Sequence, residues 1–470
     1  MTFAASPTLS LTQLAQMTGG DLAVREVPHG AREREAFLKS GFDGVSIDTR
    51  TLKKGELFVP LPGSNLDGHR FLEEAFGRGA AAALCARERW SEWRGKEPGP
   101  LVVVDDVTVG LQRLAHRCRQ NWSGLMVGVT GSTGKTTTKD LVAAVLATAE
   151  PTLKTEGNLN NHWGVPLTLM RLRNEHHAAV VEMGMSRAGE IEMLATIAMP
   201  NAAVITNAGS AHLEGLGSLD AIAYEKAALA RALKPDEVAF VGSDSARLMA
   251  AIEGVRCRVL RYGLSPDADM GPKRMTMRED GGTTLEVEGF PPIALRLVGR
   301  HQVANALAAL AVAREYRLDP DAVGIALGAY HAPKGRMELK HWHGATLLVD
   351  CYNANPDSTR AALETLAAWP DAKRRIAVLG DMLELGSTAA ALHRETGGAV
   401  RDAELWVIGA HIEDYAVGAK QAKVSTRTFD DMKTLSTALR EALAPGVTVL
   451  VKASRGAALE RALERLNLEE

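Results

Sequence analysis

Apolar positions along this chain follow two patterns that alternate from end to end. Short continuous runs such as GELFVPLPG, GPLVVVDD, HAAVVEMG and NAAVITNAG, each bounded by turn formers, read as strands. Longer stretches, HRFLEEAFGRGAAAAL, TVGLQRLAHRCRQNW, LDAIAYEKAALARAL and HQVANALAALAVAREYRL, read as helices. Near YHAPKGRMEL the pattern restarts, and the apolar runs ATLLVD, RRIAVLG, ELWVIG and GVTVLVKA follow, separated by helical sequence. Such alternation predicts parallel sheets wrapped by helices, with ligands outside the carboxyl ends of the strands. The expected fold class is α/β in three domains, over residues 1–110, 111–331 and 332–470. SPDADMGPKRMTMREDGGTTLEVEGF reads as a turn-rich hairpin excursion inside the central domain.

Bulk properties narrow the partners. A chain of 470 residues exceeds what one core supports, in keeping with several domains. With 46% hydrophobic and 24% charged residues it should fold throughout. The net charge of -3 is spread without long blocks of either sign, which proposes neither a nucleic-acid groove nor a membrane surface. Cys85, Cys118, Cys257 and Cys351 have neither metal-site nor disulfide-framework spacing, and no run is long enough to span a bilayer. A cytoplasmic protein acting on small molecules, without membrane insertion and as a monomer, is expected.

The chemistry starts at VGVTGSTGKTTTKD, where an apolar strand delivers GSTGKT into a helix. Gly131 and Gly134 stand where positive φ or close backbone approach is needed, so that amides around Ser132 and Thr133 face phosphate oxygens at the helix start. Lys135 would reach the outer phosphates and the Thr136 hydroxyl a magnesium ion, with Thr137 following. The strict pattern asks for glycine at the position held by Val129, and a Gly-rich turn with an exposed lysine is the alternative reading. Glu182 closes the run HAAVVEMG and is the best carboxylate for the metal. His212, in the glycine-rich NAGSAHLEGLGS, is either a second metal ligand or a solvated loop histidine. Lys226 lies on a helix, where a solvent-facing lysine is the default. Asn158, Asn160 and Asn161 either make turns or face a polar substrate. In VDCYNANPDS, Asp350 ends a strand and could take ribose hydroxyls, while Asn353 and Asn355 either contact ligand or build an Asx turn. Arg336, Lys452 and Arg455 supply cations; the last two are candidates for a dipeptide carboxylate, against surface solvation as the default.

In order, TGSTGKTTTKD, EGNLNNHWGVPLT, VVEMGMSRAGEI, NAGSAHLEGLGS, YNANPDS and LGDMLELG resemble the Mur ligases, the ATP-dependent amide-forming enzymes of peptidoglycan assembly, along essentially the whole chain. Members of that family carry the compact form Thr-Gly-x-x-Gly-Lys-Thr, matched by Thr130 to Thr136, which accounts for Val129. The resemblance implies a central P-loop ATPase-like domain and a C-terminal Rossmann-like domain. It implies metal-binding positions at Glu182 and His212, ATP contacts at Asn305 and Arg336, and a nucleotide contact at Asp350. Asp48, Thr49 and Arg50, with the segment Asn65 to His69 containing Asp67, Gly68 and His69, match the parts that hold a uridine nucleotide. Lys226 falls where several relatives carry a carbamylated lysine. The implied reaction is ligation of D-alanyl-D-alanine to UDP-N-acetylmuramoyl-tripeptide through an acyl phosphate, with ATP and Mg²⁺, the last domain binding the dipeptide. Gln302 departs from the usual asparagine, and its His-Gln pair also occurs in folylpolyglutamate synthases. A P-loop switch ATPase and a non-catalytic nucleotide-binding scaffold are the readings from other classes.

Overall fold

The computed structural model describes residues 9–25, 30–63, 66–370 and 372–466, so Asn65 lies outside the described residues. The chain forms two compact units, one of Met1–Gly128, Glu150–Gly184 and Glu190–Asn201, the other of Val129–Ala149, Met185–Gly189 and Ala202–Glu470. Among the described residues no helix is long and apolar enough to cross a membrane.

The first unit holds a five-stranded sheet in the order Asp21–Ala23, Leu101–Val104, Ala82–Ala86, Leu57–Phe58, Val45–Ser46. Its neighbours are parallel except Asp21–Ala23, which lies antiparallel at the edge. Ala82–Ala86 overturns a sequence expectation. The stretch read as one helix makes a 3₁₀ turn at Gly68–Phe71 and a short helix at Leu72–Gly77, bends at Gly79 with φ +94°, and then becomes strand. Alanines favour helix locally, but pairing on both sides and complete burial of the strand outweigh that preference. The helix Val107–Gln120 begins where Asp106 accepts a bond from the Val109 amide, and the unit also holds the parallel pair Thr152–Lys154 and Ala178–Glu182.

The second unit contains the parallel strands Ala202–Ile205, Val238–Gly242 and Arg258–Tyr262. The expected hairpin excursion is an antiparallel meander of three strands, Arg274–Met277, Thr283–Glu286 and Ile293–Leu295. The helix Arg300–Glu315 is buried nearly all round, as its run of alanine, leucine and valine requires. Last comes a six-stranded sheet in the order Glu338–Trp342, Ala345–Asp350, Val447–Lys452, Arg374–Leu379, Glu404–Ile408, Thr426–Phe429. Only the first pair is antiparallel. The four inner strands are the apolar runs read from sequence. The two edge strands escaped that reading because each is polar and partly exposed, so neither carries a continuous apolar signal.

Insertion of Val447–Lys452 beside Ala345–Asp350 puts Asp350 directly opposite Lys452 at the carboxyl ends of two parallel strands. Lys452 is therefore no surface cation. Its side chain is 2% exposed, and its ammonium donates to Asp350 Oδ2 at 2.6 Å and to the Asn353 carbonyl at 3.0 Å. Removing one partner strands the other charge, so Lys452→Met should lower unfolding free energy by about 3–5 kcal/mol in urea denaturation. Adding Asp350→Asn should recover part of that loss; a Lys452→Met variant as stable as the parent would show that the pair does not hold the strand ends.

Candidate active site

The phosphate-loop segment follows the strand Leu125–Thr130 and opens the twelve-residue helix Lys135–Leu146, with Gly134 left-handed at φ 78° in the cap position. Gly131 has φ +154°, and a Cβ there would stand 1.7 Å from Thr206 Oγ1; one at Gly134 would stand 2.4 Å from Asn305 Oδ1. Only glycine fits either position. Lys135 Nζ donates to the Gly131 carbonyl at 2.7 Å, folding the lysine over the loop. Two of the amides expected to face phosphate are engaged by a residue overlooked in the sequence. The Ser132 amide donates to the Asn207 carbonyl at 3.1 Å and the Thr133 amide to Asn207 Oδ1 at 3.0 Å. Asn207 Nδ2 donates back to Thr133 Oγ1 at 2.8 Å. Its only sequence signal was its place just after an apolar strand.

Asn305, matched by resemblance to an ATP contact, is buried and spans two elements: its Oδ1 accepts from Thr138 Oγ1 at 3.1 Å and its Nδ2 donates to Gln302 Oε1 at 2.9 Å. Gln302 therefore orients the Asn305 amide. Thr137 is buried within the helix. Lys226 is not solvent-facing but 1% exposed, on the alanine-rich helix Leu219–Arg231. Burial, and then the charge of Lys135, hold its amine well below the usual lysine range, with Glu225 opposing. His301, adjacent to Gln302 in sequence, is driven down to about 4, mainly by burial and also by Lys452, against the pull of Asp350. Its Nδ1 is buried without a hydrogen-bond partner.

His212 has a left-handed backbone, φ 63°, and its Nδ1 stands 2.7 Å from Glu384 Oε2. The imidazole holds the Glu384 carboxyl below the ordinary glutamate value. Glu384 belongs to LGDMLELG, a segment noted in the sequence without a role. Arg336 donates to Thr136 Oγ1 at 2.9 Å and lies 4.0 Å above the Tyr352 ring centroid, while Arg455 lies 5.2 Å from the same ring. Tyr352 thus carries two guanidinium groups, one of them on the phosphate-loop threonine. Asp350 accepts from the Met337 amide as well as from Lys452. Asn353 Oδ1 accepts from the Ala354 amide, and Asn355 caps the helix Pro356–Ala367 in a reciprocal box with Ser358. Asn355 thus serves as a helix cap, and Asn353 bonds the amide next to it within the same strand-to-helix turn.

In the first unit Glu182 is 2% exposed, and its Oε1 accepts from Asn160 Nδ2 at 2.8 Å. Asn160 is thus the asparagine of its cluster that meets the carboxylate. Asn161 Oδ1 accepts from the amides of Trp163 and Gly164 as a turn former, and Asn158 is exposed. Asp48 grips Arg50 through several hydrogen bonds, and Thr49 is buried. The Ala86 amide donates to His69 Nε2 at 2.9 Å, so the ring proton sits on Nδ1 and points at Asp67 Oδ1, 2.6 Å away. Gly68 fits because a Cβ would meet the Pro60 backbone at 2.7 Å.

In the second unit Thr136 offers a hydroxyl and His212 an imidazole, and in the first Glu182 offers a carboxylate, each a donor type that divalent ions accept. Among the described residues no group of three or more His, Cys, Asp and Glu converges as a metal centre.

Three family models match the chain: Mur ligase family, catalytic domain, over residues 41–117; Mur ligase middle domain over 129–313; and Mur ligase, glutamate ligase domain, over 335–455. UDP-N-acetylmuramoyl-tripeptide--D-alanyl-D-alanine ligase of Bacillus subtilis is 35% identical over 94% of this chain and 97% of its own length. The protein of the same name from Escherichia coli is 34% identical over 97% and 98%. Among solved structures, MurF from Acinetobacter baumannii superposes with a TM-score of 0.87 at 26% identity, covering 98% of this chain and 99% of the other. MurF ligase from Thermotoga maritima in complex with ADP gives 0.78 at 29%, covering 90% and 96%. The three-domain α/β fold is common to these structures and this chain. With three matching models and near-full-length relatives at 34–35% identity, the chain belongs to the Mur ligase family.

Proposed function

We propose that this chain is an ATP-dependent ligase that joins D-alanyl-D-alanine to UDP-N-acetylmuramoyl-tripeptide, releasing ADP and phosphate. The observation that carries the reading is the phosphate loop: a glycine-shaped helix start with Lys135 folded over it and the Arg336 guanidinium on Thr136 Oγ1. A carboxylate is a poor acylating agent, so the terminal carboxylate of the tripeptide first takes the γ-phosphoryl group of ATP. The dipeptide amine then attacks the acyl phosphate carbonyl, the C–N bond forms, a proton is lost and phosphate leaves. Lys135 and Arg336 offset charge on the transferring group and lower the repulsion between two anions. Thr136, Glu182 and His212 are the residues that would hold Mg²⁺, whose charge would further neutralise the phosphates.

Within this reading residues 1–110 bind the uridine nucleotide, 111–331 bind ATP and 332–470 bind the dipeptide. The buried Asp350–Lys452 pair leaves Arg455 as the better of the two cations suggested for the dipeptide carboxylate. The protein acts as a cytoplasmic monomer with no nucleic-acid partner. Phosphate release with ATP, Mg²⁺ and UDP-N-acetylmuramoyl-tripeptide should depend on D-alanyl-D-alanine and not on single amino acids. Lys135→Ala should reduce it by about 10²–10³-fold. Release that ignores the dipeptide would instead favour a P-loop ATPase.

Lys226 adds a second test. Only a neutral amine attacks carbon dioxide, and burial beside Lys135 favours the neutral form. The resulting carbamate, formed from the neutral amine with loss of one proton to solvent, places an anion where the uncharged amine stood. ¹³C-bicarbonate should yield a carbamate resonance in the parent and none in Lys226→Arg, and stripping carbon dioxide should depress phosphate release until bicarbonate is restored. A parent protein with no such resonance and full activity in stripped buffer would remove the carbamate from the mechanism.

A further inference from the structure

Asp357 was part of the YNANPDS run but received no role in the sequence reading, and the ligase mechanism above does not use it. It stands in the first turn of the helix Pro356–Ala367, two residues after the Asn355 cap. One oxygen, Oδ2, accepts from the Ser210 amide at 2.6 Å and from Ser210 Oγ at 2.7 Å. These are charge-assisted bonds at the short end of their range. The approach depends on the neighbouring glycine, because a Cβ on Gly209 would stand 2.3 Å from the same oxygen. On the other side, Gly209 meets the phosphate loop. Ser132 Oγ donates to the Gly209 carbonyl at 3.0 Å and accepts from the Gly209 amide at 2.9 Å. Ser132 and Ser210 are both buried, so water competes poorly for the Ser132–Gly209 bonds, while the Asp357 carboxylate itself stays partly exposed.

We propose that Asp357 is a positioning residue for the phosphate loop: its carboxylate fixes the Gly209–Ser210 peptide, and that peptide fixes Ser132. The same stretch carries Asn207, which engages the Ser132 and Thr133 amides, and His212 lies two residues beyond Ser210. One carboxylate from the last part of the chain therefore sets the wall against which the triphosphate-binding turn is shaped. Arg360, 4.0 Å from the other carboxylate oxygen, balances part of the charge. An uncharged acceptor of the same shape would serve nearly as well, since the role is geometric.

The inference rests on the ligase reading only for its kinetic arm. Amide hydrogen exchange of the full chain without ligands should be faster across residues 206–212 in Asp357→Ala and near the parent rate in Asp357→Asn, whose amide oxygen still accepts both Ser210 bonds. In the ligation assay Asp357→Ala should lose roughly 10- to 100-fold in kcat, the range expected for a lost bond to a charged acceptor, with KM for the dipeptide within about twofold. Asp357→Asn should stay within about threefold of the parent. Ser210→Ala, which keeps the amide donor, should fall between and serves if Asp357→Ala does not fold. Unchanged exchange at 206–212 in Asp357→Ala, or a kcat equal to the parent's, would overturn the proposal. Equal impairment of the Asn and Ala variants would overturn it too, since it would assign the charge to a ligand. A parent protein without dipeptide-dependent release would count against the ligase reading alone, leaving the exchange result to judge Asp357.

Discussion

The site depends on two places where a side chain is missing. Gly131 lets Thr206 come close enough for its hydroxyl to donate to the Thr133 carbonyl at 2.5 Å, and Gly134 lets the Asn305 amide press on the start of the helix Lys135–Leu146. A methyl group at either position would push out a neighbour that holds the loop in shape. Everything else described around the turn builds on that contact: Asn207 on the loop amides, Gly209 on Ser132, Gln302 on Asn305. The turn is thus shaped from outside, by segments distant in sequence, as well as by its own backbone preferences.

This explains which parts could be read from sequence. The inner strands of the last sheet, the helix Arg300–Glu315 and the strand into the phosphate loop are continuous apolar segments whose burial is dictated by composition, and they lie where the runs predict. Ala82–Ala86 was read as helix because alanine's local preference is visible while its pairing with Leu57–Phe58 and Leu101–Val104, 25 and 18 residues away, is not. In the site, Gly131, Lys135 and Thr136 announce themselves by order, since a glycine-rich turn before a lysine has few other uses. Lys226 and Lys452 do not. Each looks like an ordinary charged residue, and only the fold reveals that one is enclosed beside Lys135 and the other paired with Asp350. Asn207, Asp357 and Glu384 act through contacts 74, 147 and 172 residues away, beyond any local pattern.

The electrostatics have a direction. Lys135 lies over the phosphate turn and depresses the Lys226 amine, and Arg336 adds a guanidinium at Thr136. Like charges held together in partly buried space oppose the folded state unless something offsets them. Glu225 opposes the shift at Lys226, but that carboxylate also accepts from the Gly189 amide at 2.9 Å and is itself buried. The arrangement is poorly matched to a neutral ligand and well matched to a polyanion, whose binding would convert mutual repulsion into attraction. That is a stronger reason to place phosphate here than the motif alone, because it would hold for any sequence that produced this placement of cations.

Part of the backbone strain among the described residues falls at the same place, although other left-handed residues such as Met199, Arg317 and Lys423 are not part of it. His212, Met337 and Glu384 are non-glycine residues with left-handed φ, at 63°, 53° and 62°. Met337 follows Arg336, and the other two face each other across an ion-pair distance of 2.7 Å. Such conformations cost on the order of 1–3 kcal/mol each and persist only where surrounding contacts over-determine them. At Met337 those contacts are identifiable: its amide donates to Asp350, which Lys452 anchors. The strained turn therefore holds Arg336 against Thr136 and the Tyr352 ring at once. A relaxed backbone at residue 337 would swing the preceding guanidinium off one of those two partners. The buried ion pair at the strand ends thereby reaches the phosphate loop through three covalently and hydrogen-bonded steps.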